Sequence, residues 1–315
     1  MDKEIINNLK TLSLDMINRA GSGHSGIVMS AAPLIYTIYA RHMNLNPRDP
    51  NWLNRDRFVL SAGHGSALLY ATLHMAGMDI TMEDLQNFRR YGYKTPGHPE
   101  VGVTPGVDVS SGALGEGLAT AVGLALAEKM LEARFKVGEK PHSLFNYRVY
   151  CLASDGDLME GVAYEAASFA ANNGLNNLIV LYDSNNVTLD GNKKQTFTEN
   201  VSERFRAMGW HVEFVKDGNS VSEINEAINK CKQAIRPGFI QVVTTIGQDT
   251  ELSGSNLAHG HVFSIDEIKK IKAKLGVPAE PFYESELAAN AFKEAIRTRS
   301  DKKYDQWAKD YKEYI

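Results

Sequence analysis

The feature that most constrains the fold of this chain is an alternation between short β-branched or aromatic runs and segments of helix length. The runs that read as strands cover residues 58–61, 147–153, 178–183, 211–215 and 239–245. The amphipathic or apolar segments that read as helices cover residues 4–19, 31–43, 66–76, 118–135, 161–172 and 222–234. This alternation predicts an α/β fold, in which a parallel sheet carries helices on both faces.

The last fifty residues differ in character from the rest of the chain. A charged helical pattern covers residues 266–274, a proline-containing breaker follows at 278–281, and a second charged helical pattern covers 284–314. The sequence contains no internal repeat and no Gly/Ser linker. We therefore predict one α/β domain over residues 1–263 and a peripheral helical tail over residues 264–315.

Composition narrows the classes of function. A chain of 315 residues with 43% hydrophobic and 23% charged residues is typical of a soluble globular protein with a large core. Its net charge of -4 gives no electrostatic reason to expect nucleic acid or an anionic membrane as partner. Cys151 and Cys231 lack the spacing of a metal site or a disulfide framework. With no signal-peptide pattern and no bilayer-length apolar run, we expect a cytoplasmic protein with neither nucleic acid nor membrane as partner.

Polar side chains follow two of the predicted strands. Asp155 comes just after one strand, and Asn185 comes just after the next. Ligands of parallel sheets lie beyond the carboxyl ends of strands, and Mg²⁺ prefers oxygen ligands such as carboxylates and amides. Either segment alone also has the composition of an ordinary turn. Their occurrence at consecutive strand ends favours a Mg²⁺ site.

A glycine-rich entry at residues 112–117 precedes the long apolar helix predicted from Leu118. The free N–H groups and positive dipole end of such a helix suit a diphosphate. The segment lacks the spacing of a dinucleotide fingerprint or a P-loop lysine, so the sequence does not favour a nucleotide ligand. Close packing of the helix against a neighbour would require the same glycines, and this alternative remains open.

Histidines next to glycine form a third feature. Five of the nine histidines adjoin a glycine in sequence rather than following a helical period, namely His24, His64, His98, His259 and His261. Any one of them is more often structural than catalytic. Several imidazoles gathered in one pocket can exchange protons with the hydroxyls and carbonyls of a polar substrate, because their pKa lies near neutrality.

Taken together, these segments resemble transketolase in their order and spacing over nearly the whole chain. The matching residues are 22–24 (Ser-Gly-His), 61–66 (Ser-Ala-Gly-His-Gly-Ser), 95–100 (Thr-Pro-Gly-His-Pro-Glu), 154–156 (Ser-Asp-Gly) with Asn185, and 258–260 (Ala-His-Gly). Residues 95–100 discriminate best, because deoxyxylulose-phosphate synthase and the keto-acid dehydrogenases share the metal motif but resemble this segment less.

The resemblance implies the thiamin diphosphate-binding fold and an enzyme that moves a two-carbon ketol unit from a ketose phosphate to an aldose phosphate in the pentose phosphate pathway. It implies that Mg²⁺, or Ca²⁺ or Mn²⁺ in its place, binds Asp155, Asn185 and the backbone carbonyl of Val187. The channel to the reactive carbon would be lined by His24, His64, His98 and His259. Thiamine diphosphate itself would contact His64, Gly112, Leu114, Gly156, Asn185 and His259.

The chain departs from the family pattern at four positions beside these expected contacts. Ser154, Ser25, Ala113 and Glu116 stand where the family usually has glycine, proline, proline and glutamine. A side chain at 154 must either collide with the diphosphate or donate a hydrogen bond to it. The resemblance also matches Glu160 and Glu165 to acidic residues at a subunit contact, although a solvated helix face would have the same composition.

The pyrimidine-binding domain that carries the family's activating glutamate has no counterpart in these residues. We therefore expect the chain alone to be inactive and to need a pyrimidine-domain subunit or half, in a homodimeric or heterotetrameric assembly. Three readings remain open: a subunit of a split transketolase, an N-terminal piece of a longer transketolase, and a non-catalytic binding or regulatory module that keeps the fold.

Overall fold

Five parallel strands form the centre of the molecule. The computed structural model describes residues 1–137, 143–189 and 191–315. The strands are β1 (Arg57–Leu60), β2 (Val149–Ser154), β3 (Leu178–Ser184), β4 (His211–Val215) and β5 (Gly238–Val243), in the spatial order β1-β2-β3-β5-β4. Every neighbouring pair is parallel. The predicted α/β fold with a parallel sheet is confirmed.

Helices cover both faces of this sheet. They are α1 (Asp2–Ala20), α2 (Ser25–Thr37), α3 (Ser66–Met75), α4 (Met82–Gln86), α5 (Glu116–Arg134), α6 (Gly161–Asn172), α7 (Val201–Ala207), α8 (Val221–Gln233), α9 (Ile265–Leu275) and α10 (Glu286–Tyr314). Within the ranges that the structure describes, none of these helices combines the length and the apolarity required of a membrane span.

The central strands read as continuous apolar runs because both of their faces are buried. Tyr150 and Leu152 of β2 pack in a core shared with α1, α2, α3 and α8. Val149 and Cys151, which alternate with them, pack in a second core with α5, α6 and α7. Both cysteines are buried free thiols. The alternation of side chains along each strand thus divides one run between two helical layers.

The largest difference from the predicted elements lies at the start of α2, which begins at Ser25 rather than at residue 31. The early start depends on Gly26, where a Cβ would lie 2.7 Å from Cγ1 of Ile246 and 2.8 Å from the carbonyl oxygen of Ala258. Glycine is a weak helix former, so the local sequence favours a loop here. Close packing against a distant loop therefore requires glycine within the first turn of α2. The short helices α4 and α7 were also not predicted.

The C-terminal segment is helical, as predicted, and packs on the rest of the chain. Phe292 and Ile296 of α10 are fully buried in the core that also contains α1 and α3. Lys272 of α9 forms a buried ion pair with Asp15 of α1, with Nζ 2.7 Å from Oδ2. The guanidinium of Arg299 donates hydrogen bonds to backbone carbonyls of the π-helical turn Ile38–His42 that follows α2, including that of Ala40 at 2.6 Å. The boundary proposed between residues 263 and 264 stays a prediction.

Candidate functional site

A cavity of about 370 Å³ opens at the carboxyl ends of the strands. Most of the predicted site residues line it: His24, His64, His98, Gly112, Leu114, Gly156, Asn185, Val187 and His259. Asp155 lies beside the cavity and is only 1% exposed. The parallel sheet explains this gathering, because β1, β2, β3 and β5 all end at the same edge.

Three of the histidines form a compact cluster. His24 directly precedes α2, His64 lies in a 3₁₀ turn between β1 and α3, and His259 follows a 3₁₀ turn after β5. The ring centroids of His24 and His64 are 5.1 Å apart, those of His64 and His259 are 5.1 Å apart, and those of His24 and His259 are 5.3 Å apart. Three loops distant in sequence thus bring three imidazoles to one wall of the cavity.

The fourth histidine lies against the glycine-rich segment. A Cβ at Gly112 would lie 3.2 Å from Cγ and Cδ2 of the His98 ring. Gly112 has a φ of 151°, which L side chains rarely adopt. Both the backbone conformation and the close contact therefore call for glycine, and the pairing places His98 beside the entry to α5.

Burial holds these imidazoles in their neutral form. It lowers the pKa of His24 to about 4 and that of His64 to about 3, with a smaller contribution from the neighbouring histidines. Burial also lowers the pKa of His98 and that of His259. Nδ1 of His24 is buried and has no hydrogen-bond partner within the described ranges. Near neutral pH the cluster therefore offers uncharged acceptors and donors to a bound molecule.

His261, the fifth histidine next to a glycine, is not among the residues that line the cavity. The His261 ring packs against Phe263 with centroids 4.6 Å apart, and its Nε2 lies 3.4 Å from a carboxylate oxygen of Glu267. Of the two acidic residues matched to a subunit contact, Glu160 lines the cavity and Glu165 is exposed on α6.

Asp157, which was not predicted as a site residue, is a buried carboxylate that connects three elements of the site. Its Oδ1 accepts hydrogen bonds from the hydroxyl of Ser61 at 2.7 Å and the N–H of Gly115 at 3.0 Å. Its Oδ2 accepts hydrogen bonds from the backbone and the hydroxyl of Ser154 at 2.8 and 2.9 Å. Burial raises the pKa of the Asp157 carboxyl. The only sequence signal was its position two residues after Asp155.

Asp157 also changes the role expected for the start of α5. The N–H of Gly115 is bound by Asp157, and the N–H of Leu118 donates to Ser61 Oγ at 3.0 Å. Two N–H groups near the start of the helix are therefore bound within the protein and are not free to bind a diphosphate. Gly112 and Leu114 remain on the cavity wall, where a Cβ on Gly156 would lie 3.0 Å from Cδ1 of Leu114.

The two serine departures make internal hydrogen bonds. The Ser154 hydroxyl donates to Asp157. The Ser25 hydroxyl lies 3.2 Å from the carbonyl oxygen of Ala258 and 2.7 Å from that of His261, so it fastens the loop of His259 to the start of α2. Ala113 and Glu116, the other two departures, are exposed.

The edge at the ends of β2 and β3 gathers oxygen atoms of the predicted metal-binding type. Oδ2 of Asp155 accepts the backbone N–H groups of Asn185 and Asn186, at 3.1 and 2.8 Å. The Asn185 amide oxygen accepts the N–H of Val187 at 3.0 Å. In the described parts of the chain, no three His, Cys, Asp or Glu residues cluster as a metal site. One carboxylate, one amide and a backbone carbonyl fit Mg²⁺, which takes further oxygens from water and from cofactor phosphates.

Parallel α/β sheets with a polar cavity beyond the carboxyl ends of their strands form a well-defined class of ligand-binding domain, and this chain has that architecture. Residues 1–315 match the family model described as transketolase, thiamine diphosphate binding domain. The chain belongs to this family. The resemblance predicted from the sequence is thus confirmed at the level of the family.

Individual relatives agree with this assignment. The chain is 46% identical over 314 residues to a transketolase of Aquifex aeolicus, covering 100% of this chain and 45% of the relative. It is 47% identical over 305 residues to a transketolase of Geobacillus stearothermophilus, covering 96% of this chain and 45% of the relative. The solved transketolase from Leishmania mexicana superposes with a TM-score of 0.96 at 38% identity, covering 100% and 47%. The chain thus spans slightly less than half the length of these relatives.

Proposed function

We propose that this chain is the thiamine-diphosphate-binding part of a transketolase. With a pyrimidine-domain partner, it transfers a two-carbon ketol unit from a ketose phosphate to an aldose phosphate in the pentose phosphate pathway. The observation that carries this proposal is the convergence of His24, His64 and His259, with ring centroids 5.1 to 5.3 Å apart, in the cavity beside the Asp155 edge.

In this proposal the cofactor and the histidines of the cavity have different roles. When bound, thiamine diphosphate supplies a nucleophilic carbon, a chemistry that protein side chains lack. The neutral imidazoles of His24, His64, His98 and His259 accept protons from sugar hydroxyls and donate hydrogen bonds to oxygen atoms on which negative charge develops. The unpartnered Nδ1 of His24 is suited to such a contact.

The edge at the ends of β2 and β3 would hold the diphosphate. Asp155, Asn185 and the carbonyl of Val187 would bind Mg²⁺, or Ca²⁺ or Mn²⁺ in its place. Gly112 and Gly156 would let the cofactor approach the backbone closely, with Leu114, His64, His259 and Asn185 as further contacts. The inward hydroxyl of Ser154 supports this proposal, because it is held by Asp157.

The partner is a pyrimidine-domain subunit, or the remaining half of a longer chain, in a homodimeric or heterotetrameric cytoplasmic assembly. The chain alone is expected to be inactive, because it spans only 45% of its curated relatives. Two acidic residues would lie at the subunit contact. Glu165 is exposed on α6, and Glu160 lines the cavity just before α6 begins. No observation specifically favours a non-catalytic module. The Ser154 hydroxyl, which could have blocked the cofactor, is instead hydrogen-bonded to Asp157.

The test is to isolate the chain gently from its native cells with Mg²⁺ and thiamine diphosphate, and to record the intact mass of the assembly together with ketol transfer. We expect a cofactor-loaded assembly containing a pyrimidine domain, either as a companion polypeptide or within one longer chain. An assembly that carries neither cofactor nor pyrimidine domain would contradict the proposal and favour a binding module.

A further inference from the structure

The carboxylate of Asp155 has more partners than a metal ligand with open positions would have. Besides the two backbone N–H groups at Oδ2, its Oδ1 accepts a hydrogen bond from the hydroxyl of Tyr182 and forms an ion pair with Lys193, whose Nζ is 3.0 Å away. A carboxylate offers about four lone-pair positions. All of them are engaged by donors of the protein.

The donors differ in how easily they can leave. The two N–H groups belong to the turn after β3, which is held by backbone geometry. Tyr182 is a fully buried residue of β3 itself. Lys193 reaches Oδ1 through a flexible four-carbon side chain that starts from the 3₁₀ turn Lys193–Gln195. The Lys193 ammonium is therefore the donor that a cation at Oδ1 would displace.

Lys193 is built into the site rather than lying on its surface. Its residue is 8% exposed, and its ammonium also donates to the Tyr182 hydroxyl at 3.0 Å. Lysine is rarely buried to this extent without a partner, and here the partner is Asp155. The neighbouring Lys194 is exposed. Of these two consecutive lysines, one is thus the counter-ion of the predicted metal ligand and the other provides a matched control.

We propose that Lys193 sets the metal affinity of this site by competing with the divalent cation for Asp155. This inference rests on the proposed function, which makes Asp155 a metal ligand. The ammonium neutralises a carboxylate that is otherwise buried without a counter-charge, and it repels a divalent cation placed a few ångströms away. Metal binding therefore requires the Lys193 ammonium to move away from Oδ1. Lys193 thus tunes occupancy and is not a metal ligand.

The test compares Lys193→Met with the native protein and with Lys194→Met. Mn²⁺ binding is measured by electron paramagnetic resonance, with saturating thiamine diphosphate, and the thermal midpoint is measured with and without Mn²⁺. We expect Lys193→Met to bind Mn²⁺ about tenfold more tightly, since a like charge has been removed. Its metal-free midpoint should fall and should recover when Mn²⁺ is added. Lys194→Met should match the native protein in both measurements.

Two outcomes overturn the proposal in distinguishable ways. If folded Lys193→Met binds Mn²⁺ no more tightly than the native protein, while Asp155→Asn abolishes binding, then Asp155 is a ligand but Lys193 does not compete for it. If Mn²⁺ binding persists in Asp155→Asn, or if the native protein and Lys193→Met both fail to bind Mn²⁺, the proposed metal site itself is wrong. If the methionine variant does not fold, Lys193→Gln takes its place, because it removes the charge but keeps a hydrogen-bond donor. The same criteria then apply to Lys193→Gln.

Discussion

The histidine wall, which lines the cavity, differs from the buried carboxylates of Asp155 and Asp157 behind the cavity lining, here called the acidic wall, in how the polar groups are satisfied. On the histidine wall, three rings contact one another, burial keeps them neutral, and Nδ1 of His24 lacks a partner within the described part of the chain. On the acidic wall, Asp155 and Asp157 each accept four hydrogen bonds or ion-pair contacts from the protein. A ligand can therefore join the first wall directly but must exchange partners on the second.

The largest expected effect comes from breaking the acidic wall with Asp155→Ala. This change leaves the buried ammonium of Lys193 without its carboxylate. We expect the free energy of unfolding to fall by about 3 to 5 kcal/mol, because one member of a buried ion pair has been removed. Urea denaturation measures the change. The double variant Asp155→Ala with Lys193→Met should recover a large part of it, and equal stability of the single and double variants would contradict the ion pair's importance.

The matching change on the histidine wall, His24→Ala, should affect catalysis rather than stability. We expect ketol transfer by the assembled holoenzyme to fall roughly 10²-fold, which is about 2.7 kcal/mol of barrier, because a group that handles a proton is lost. His261→Ala is the control, since that ring faces Phe263 and Glu267. Steady-state kinetics measures the rates of both variants. Comparable losses of activity in His24→Ala and His261→Ala would contradict a catalytic role that depends on position in the cavity.

The same wall should make the isolated chain sensitive to acid. Because the folded pKa of His24 is about 4 and that of His64 about 3, the unfolded chain binds more protons than the folded chain below pH 6.5. Stability should therefore fall as pH drops from about 6.5 toward 4, by about 2 kcal/mol after allowance for partial exposure. Urea unfolding at several pH values measures this slope. His64→Asn should flatten it, and an unchanged slope would mean that other groups cause it.

The smallest effect should come from Ser154→Ala. The hydroxyl donates to Asp157, whose carboxylate keeps its bonds to Ser61, Gly115 and the backbone N–H of residue 154. We expect the free energy of unfolding to fall by about 1 kcal/mol, the net value of one hydrogen bond. Thiamine diphosphate affinity, measured by calorimetry, should stay the same in Ser154→Ala and Ser154→Gly. A marked gain in affinity in either variant would instead place the hydroxyl against the diphosphate.

Local patterns predicted the parallel sheet because the strands of such a sheet are buried on both faces and read as short apolar runs. They also predicted the polar residues after β2 and β3 and the glycine-adjacent histidines, since chemistry collects at strand ends and loops. The start of α2 escaped prediction, because glycine is a weak helix former and the need for it at position 26 comes from close packing against Ile246 and Ala258.

The partners that complete the acidic wall also escaped prediction. Asp157 joins Ser61 and Gly115 across separations of 96 and 42 residues, and Lys193 lies 38 positions from Asp155 in a segment with no apolar period. Such pairs depend on how loops fold over the sheet edge. Burial strengthens the contact between paired groups and penalises any group left unpaired, and no local pattern records burial.

The amino-acid sequence by itself determined the sheet, the family and the residue types at the cavity, because strand periodicity and short motifs are local properties of the chain. Only the tertiary structure decided which groups are neutral, which carboxylates are already satisfied and which lysine faces Asp155. Those outcomes depend on distances of a few ångströms between residues far apart in sequence. Desolvation and Coulomb energies change steeply over such distances.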